Sequence, residues 1–287
     1  EIKLALSKKI EIRKKLQIIT PSKDQTAEVH ASPFHNATGG LVGVVAVLYD
    51  VSELERLESI RRDFVSNVSH ELKTPITAIR GLVETVIDDE QMSPEKQKSF
   101  LLKTMEQTLR LSTIVTDLLV LSRLESGGLD LNREPIDLRE VVDASMQALL
   151  PISDEKSIHI ESQVPEKPVE VLGDREALYQ TINNLLDNAV KYNSKKGTAS
   201  VRLRIENGNA VIDVQDTGIG IEPLEKPKIF ERFYRVDKAR SRQLGGTGLG
   251  LSIVKHTILA HGGQLSVEST QGIGSTFQIS IPLIKPS

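Results

Sequence analysis

His70 sits in the run Phe64-Val-Ser-Asn-Val-Ser-His-Glu-Leu-Lys-Thr-Pro-Ile76. Apolar residues recur at Val65, Val68, Leu72, Ile76, Ile79, Val83 and Val86, in the steps of three and four that mark an amphipathic helix packed on another helix. His70 is two residues from both Val68 and Leu72, so it lies roughly 200° around the helix from each and faces solvent. A neutral imidazole offers a lone pair near pH 7, because its unperturbed pKa is about 6.5. That makes His70 a candidate nucleophile. Glu71 would hold the opposite ring nitrogen and fix the tautomer. Thr74, at i+4, shares the histidine's face, and its hydroxyl is placed to orient a water beside whatever the ring carries. A lone exposed histidine is ordinarily just a surface residue. Four clusters further along the chain argue otherwise.

Asn184, Asn188 and Lys191 stand at i, i+4 and i+7, within an arc of about 60° on one helix face. Two carboxamides and an ammonium suit a triphosphate with its metal. Mg2+ takes hard oxygen ligands, one or two from protein and the rest from phosphate and water. Asp216-Thr-Gly-Ile-Gly-Ile221 follows a strand pattern. Asp216 at the strand end is placed to accept a hydrogen bond from an adenine amino group. Gly218 and Gly220 let backbone approach the base. Ile229-Phe-Glu-Arg-Phe-Tyr-Arg235 joins aromatics to base. Phe230 and Phe233 would pack under a loop, and Arg235 would reach a terminal phosphate. Gly245-Gly-Thr-Gly-Leu-Gly250 opens a helix, and glycine-rich backbone at a helix N-terminus binds phosphate. No Gly-Lys-Ser/Thr follows, so it is not a P-loop. The polar, basic stretch Val236 to Leu244 reads as a lid over the site.

The elements that position these groups are legible in outline. Lys9 to Thr20, Thr26 to Pro33 and Leu41 to Tyr49 read as strands, the last a buried apolar one. Asp50 or Ser52 caps a helix that runs through Val51, Leu54, Leu57, Ile60 and Phe64 into the His70 helix and ends near Ile87. Ser93 and Pro94 start a second helix, which runs to about Glu125 before Ser126-Gly-Gly128 stops it. Its apolar face carries Leu101, Met105, Thr108, Leu111, Val115, Leu118 and Ser122, widened by Leu109, Ile114, Leu119 and Leu121. One hairpin cannot enclose that surface, so two should pair into a four-helix bundle, making a homodimer. Leu129 to Pro135 reads as a linker. Beyond it come a helix from Leu138 to Leu150, a strand from Ile158 to Val164, and a long helix capped by Asp174 or Gly173 that runs through Tyr192. A hairpin turns on Asn207-Gly208, a helix runs from Thr247 to His261, and two strands close the chain. Helices on a mostly antiparallel sheet make a two-layer α/β sandwich.

A chain of 287 residues suggests two or three domains. A net charge of -3 leaves no basic footprint, which argues against direct nucleic-acid binding. The absence of cysteine excludes disulfides and thiolate metal sites and fits a cytosolic setting. No apolar run approaches the roughly 20 residues of a membrane span. The chain opens on Glu1 rather than methionine and reads as part of a longer protein.

Five motifs, in order over roughly residues 52–284, resemble the kinase core of two-component sensor histidine kinases, close to the phosphate-sensing type of Gram-positive bacteria. Ser69 to Pro75 matches the family's H box, Asn184 to Tyr192 its N box, Asp216 to Gly220 its G1 box, Phe230 to Arg235 its F box and Gly246 to Gly250 its G2 box. Pro227 and Lys228 are small departures ahead of the F box. Residues 1–50 resemble the C-terminal half of a PAS sensor domain. The resemblance implies a multidomain α+β protein. Residues 1–50 would be the PAS-like segment and 51–63 a signalling coiled coil. Residues 64–126 would be the dimerising phosphotransfer hairpin, 127–136 a linker and 137–287 a Bergerat-type ATP-binding domain. It further implies that His70 attacks the γ-phosphate of ATP and passes the phosphoryl group to an aspartate of a cognate response regulator, with Glu71 and Thr74 supporting the reverse dephosphorylation. The implied nucleotide residues are Asn184, Asn188, Lys191, Tyr192, Asp216, Gly218, Gly220, Arg235, Gly246, Gly248, Leu249 and Gly250, with Asn188 on Mg2+. The setting implied is the cytoplasmic side of a cell membrane, reached through segments outside this sequence. A Bergerat-type ATPase with a merely dimerising hairpin is the alternative.

Overall fold

Alternation of side chains governs the first strands of the computed structural model, which describes residues 12–18, 25–125, 131–237 and 245–284. The described residues fall into two units divided between His70 and Glu71. In the first, β1 (Ile12–Ile18), β2 (Gln25–His35) and β3 (Leu41–Asp50) form an antiparallel meander in that order. Ala27, Val29 and Ala31 of β2 are buried on one face. The expectation that β3 is a buried strand is wrong. Val42, Val45, Val47, Leu48 and Tyr49 are all more than 40% exposed. Three strands make a single layer, and one layer can shield only one of its faces.

Asp50 turns the chain from β3 into helix α1 (Ser52–Asp88). Its carboxylate accepts from the Ser52 N–H at 2.9 Å and the Ser52 hydroxyl at 2.6 Å, while Ser52 Oγ accepts from the Thr26 N–H at 2.8 Å. α1 is one continuous helix across the expected coiled-coil and histidine segments, as the unbroken apolar spacing indicates. It contains Pro75, the one residue of α1 that is fully buried, and a proline there has no N–H to give to the Glu71 carbonyl.

Helix α2 (Pro94–Glu125) follows a short turn, with the Ser93 hydroxyl at its start accepting from the Lys96 N–H at 3.3 Å. The stop expected at residues 126–128 lies outside the described residues. α2 exposes the apolar face the sequence predicts, with Leu101, Met105, Leu109 and Leu119 all more than half exposed. The residues it buries are Ile114, Asp117 and Leu121, one turn apart and packed towards helix α5 of the C-terminal sandwich described below. Ile114 and Leu121, expected only to widen the hairpin seam, are therefore a second packing face.

The remainder is a two-layer sandwich. A five-stranded sheet runs in the order β5 (His159–Gln163), β7 (Thr198–Glu206), β8 (Asn209–Asp216), β10 (Gly274–Pro282), β9 (Gln264–Thr270), antiparallel except for the β5–β7 pair. Helices α3 (Leu138–Lys156), α4 (Arg175–Lys191) and α5 (Gly250–Ala260) cover it. Leu178, Ile182, Leu185 and Leu186 of α4 meet Val201, Ile212 and Ile279 of the sheet in one core. β4 (Glu134–Asp137) and β6 (Glu170–Gly173) form a separate two-stranded ribbon. Neither was expected: β4 falls in the stretch read as linker, and four residues are too few to show alternation. α3 runs past Leu150, where the sequence placed its end, because Pro151 is accommodated inside the helix and Ser157, at φ 54°, closes it. α5 starts at Gly250 rather than Thr247, since Gly248 takes φ +75° just ahead of it. Asn207 and Gly208, both at positive φ, make the expected tight hairpin turn.

Candidate active site

The mouth of the sandwich is a pocket built from the loops at the ends of α4, β8 and α5. Asn184, Asn188, Lys191 and Tyr192 line it from α4 and its C-terminal cap, Asp216 from the end of β8, Gly220 from the loop that follows, Arg235 from the following turns, and Gly246, Gly248 and Gly250 from the start of α5. Thus ten of the twelve expected nucleotide residues converge. Gly218 and Leu249 do not line it. Leu249 is fully buried as a core residue below the loop, so it anchors the glycine-rich segment by packing. Gly218 works by being small. A Cβ there would lie 2.3 Å from the Tyr192 carbonyl oxygen and 2.7 Å from Asp216 Oδ1.

Backbone bonds tie the motif loops together. The Ile219 N–H donates to the Tyr192 carbonyl at 3.1 Å, joining the loop after β8 to the end of α4. The Phe233 N–H donates to the Gly248 carbonyl at 2.8 Å, joining the aromatic turn to the glycine-rich loop. A Cβ on Gly248 would stand 2.9 Å from Phe233 backbone, so only glycine permits that joint. Phe230 packs edge-on against Phe277, under the loop as expected.

Asp216 is 8% exposed, and its Oδ1 accepts from the Gly218 N–H at 2.8 Å. Burial pushes its carboxyl above the usual range, against the pull of the Gly218 and Ser275 backbone. Asn184 Nδ2 is buried and has no hydrogen-bond partner among the described residues. Lys191 pairs with Asp187 at 2.6 Å, one turn back on α4. Asp187 also lines the pocket and went unremarked in the sequence, although its i, i+4 spacing to Lys191 was a usable signal.

His70 and Thr74 are exposed on α1, as expected. Glu71 reaches two arginines with one carboxylate oxygen. Its Oε2 accepts from Arg235 Nη2 at 2.9 Å and lies 3.6 Å from Arg110 Nη2. Arg235 also donates to the Thr247 carbonyl at 2.8 Å and is almost wholly buried. Two acidic groups of the hairpin, Glu71 and Asp117, therefore reach the nucleotide domain. Asp117 lines the pocket and accepts from the Thr247 hydroxyl at 2.9 Å. Nothing in the sequence pairs residue 117 with residue 247. Of the expected lid, only Val236 and Asp237 are among the described residues, and both line the pocket.

Residues 173–285 match the family model for histidine kinase-, DNA gyrase B- and HSP90-like ATPases, and residues 60–127 match the His kinase A (phospho-acceptor) domain. The sensor histidine kinase WalK of Bacillus subtilis is 37% identical over 256 residues, covering 88% of this chain and 42% of WalK. The sensor-like histidine kinase SenX3 of Mycolicibacterium smegmatis is 38% identical over 275 residues, covering 90% of this chain and 71% of SenX3. The chain thus spans less than half the length of one relative and about seven-tenths of the other. The crystal structure of histidine kinase ThkA in complex with response regulator protein TrrA aligns over 98% of this chain and 81% of that one, with a TM-score of 0.61 and 23% identity, a likeness of fold. An ATPase-type sandwich and a phospho-acceptor hairpin on one chain, with relatives that share both, place this chain in the two-component sensor histidine kinase family.

Proposed function

We propose that this chain is the kinase core of a longer sensor protein, which phosphorylates His70 from ATP and passes the phosphoryl group to an aspartate of a response regulator. The observation that carries the reading is the convergence of Asn184, Asn188, Lys191, Asp216 and the 245–250 loop on one pocket, in a chain whose residues 60–127 match a phospho-acceptor domain. That match leaves the plain ATPase alternative without a role for the histidine helix.

The residues fit a nucleotide. Asp216 offers a buried carboxylate oxygen to an adenine amino group. The partnerless Asn184 Nδ2 offers a donor to a phosphate oxygen. Glycine backbone at the start of α5 offers N–H groups to the same anion. Asn188 offers one hard oxygen to Mg2+, which when bound would neutralise phosphate charge and leave the remaining ligands to phosphate and water. His70, exposed on α1, supplies the lone pair that forms the new N–P bond, while the bond from the γ-phosphorus to the ADP oxygen breaks. Thr74 orients a water for the reverse, dephosphorylating activity on the regulator. We assign 1–50 to a partial PAS-like segment, 51–63 to a signalling helix, 64–126 to the phosphotransfer hairpin, 127–136 to a linker and 137–287 to the ATP-binding domain.

The partners follow. ThkA, whose fold this chain shares, was solved with a response regulator, and an aspartate of such a protein is the proposed acceptor here. A second copy of the chain would cover the exposed apolar faces of α1 and α2. Among the described residues no helix is long and apolar enough to cross a membrane. Membrane attachment, with this core on the cytoplasmic side, would come from sequence beyond these 287 residues.

Incubation with γ-labelled ATP and Mg2+ tests the reading, with His70→Gln beside the wild type. Acid-labile, base-stable label on the wild type alone is the expected result. Label that survives in the variant, or steady phosphate release without label, would defeat it.

A further inference from the structure

Asp117 is a carboxylate from the hairpin inside the pocket of the nucleotide domain. It is 7% exposed and accepts from the Thr247 hydroxyl at 2.9 Å. Thr247 in turn holds the glycine-rich loop, its Oγ1 accepting from the Leu249 N–H at 3.2 Å. The charged side chains around it are Lys191, whose field favours the ionised carboxylate, and Asp187, which is bound to that lysine. The carboxylate is thus bonded to a hydroxyl of the glycine-rich loop and lies in the field of a lysine, surroundings that would equally suit a phosphoryl group. From the other helix of the hairpin, Glu71 bonds Arg235, the cation expected to reach a terminal phosphate.

We infer that Asp117 is a tethered competitor of the substrate's phosphoryl groups, which holds the hairpin at the phosphate subsite and must withdraw when nucleotide enters. The inference rests on the nucleotide reading of the pocket and deepens it: occupation of the site and release of α2 become one equilibrium. Two anions cannot share Thr247 and Lys191 without repulsion, so each destabilises the other's binding. Linkage makes the effect reciprocal, and whatever loosens α2 from the pocket raises nucleotide affinity by the factor with which nucleotide loosens α2. Burial pushes the Asp117 carboxyl above the usual range, against the pull of the Thr247 hydroxyl and of Lys191.

Asp117→Asn keeps an acceptor for Thr247 and removes only the charge. Calorimetric titration with a non-hydrolysable ATP analogue and Mg2+ should show binding about tenfold tighter in this variant, the scale for removing one charge several ångströms from another in a half-buried site. Adenosine, which carries no phosphate, should bind the two proteins alike. A structural role for Asp117 would move both ligands together or neither. Unchanged or weaker binding of the analogue would overturn the inference while leaving the nucleotide reading intact. Binding of neither ligand to either protein would overturn both. Hydrogen exchange on the wild type needs no substitution. The analogue should slow exchange in residues 245–251 and speed it in residues 113–121 of α2. Slower or unchanged exchange in α2, with the loop protected, would also overturn the inference.

Discussion

Gly218 is where one hydrogen atom decides the site. Its Cβ position falls 2.3 Å from the Tyr192 carbonyl and 2.7 Å from the Asp216 carboxylate, so alanine forces the loop away from α4. Gly218→Ala should cost about 2 kcal/mol of stability in urea denaturation, in the range of overpacked buried sites. It should also lower nucleotide affinity, because the displaced loop holds the Asp216 carboxylate through the Gly218 N–H. At this scale the sequence showed what one helix or one loop can show. The i, i+4, i+7 spacing of Asn184, Asn188 and Lys191 follows from helix geometry alone. The partners of Arg235 and Asp117 do not, since Glu71 and Thr247 are 164 and 130 residues away and only tertiary packing brings them together.

The elements are held by joints that respond to acid. His261, at the end of α5, is 6% exposed. Its Nε2 accepts from the Asp174 N–H at 3.0 Å, at the cap of α4, which leaves Nδ1 to donate to the Thr257 carbonyl at 2.7 Å. Burial holds its pKa below the usual histidine value. The unfolded chain takes up this proton near about pH 6.5, where the folded chain still does not. The joint therefore contributes its full stability above that pH and loses it as pH falls towards the folded value. Denaturation at pH 7.5 and 5.5 should show a smaller loss on acidification for His261→Gln than for the wild type. Long periodic elements such as α1, α2 and α4 were legible, because ten or more residues repeat one pattern. β4 and β6 were not, because a four-residue strand owes its existence to its partner. Pro151 misplaced the end of α3 for a related reason: packing of Met146, Leu149 and Ser153 outweighs the lost backbone bond.

At the scale of the whole molecule, the exposed apolar faces are those the proposed second copy would cover. Leu54, Leu57, Leu101, Met105 and Leu109 are each more than half exposed, in a chain otherwise rich in charge. Leu109→Glu should shift the protein from dimer towards monomer in light scattering, with the ATP-binding sandwich still folded by circular dichroism. A monomeric wild type at micromolar concentration would remove the basis for the four-helix bundle. The architecture was legible where separate motifs had one purpose. The exposure of β3 was not, since a valine-rich strand looks the same whether its outer face is covered or bare.

Pro75 has a mechanical consequence. A 37-residue helix is a stiff rod only while every rung of its ladder is present, and α1 lacks the rung between Glu71 and residue 75. A torque applied along α1 would not spread evenly over its length. It would collect in the single turn that follows His70, as strain collects at a notch.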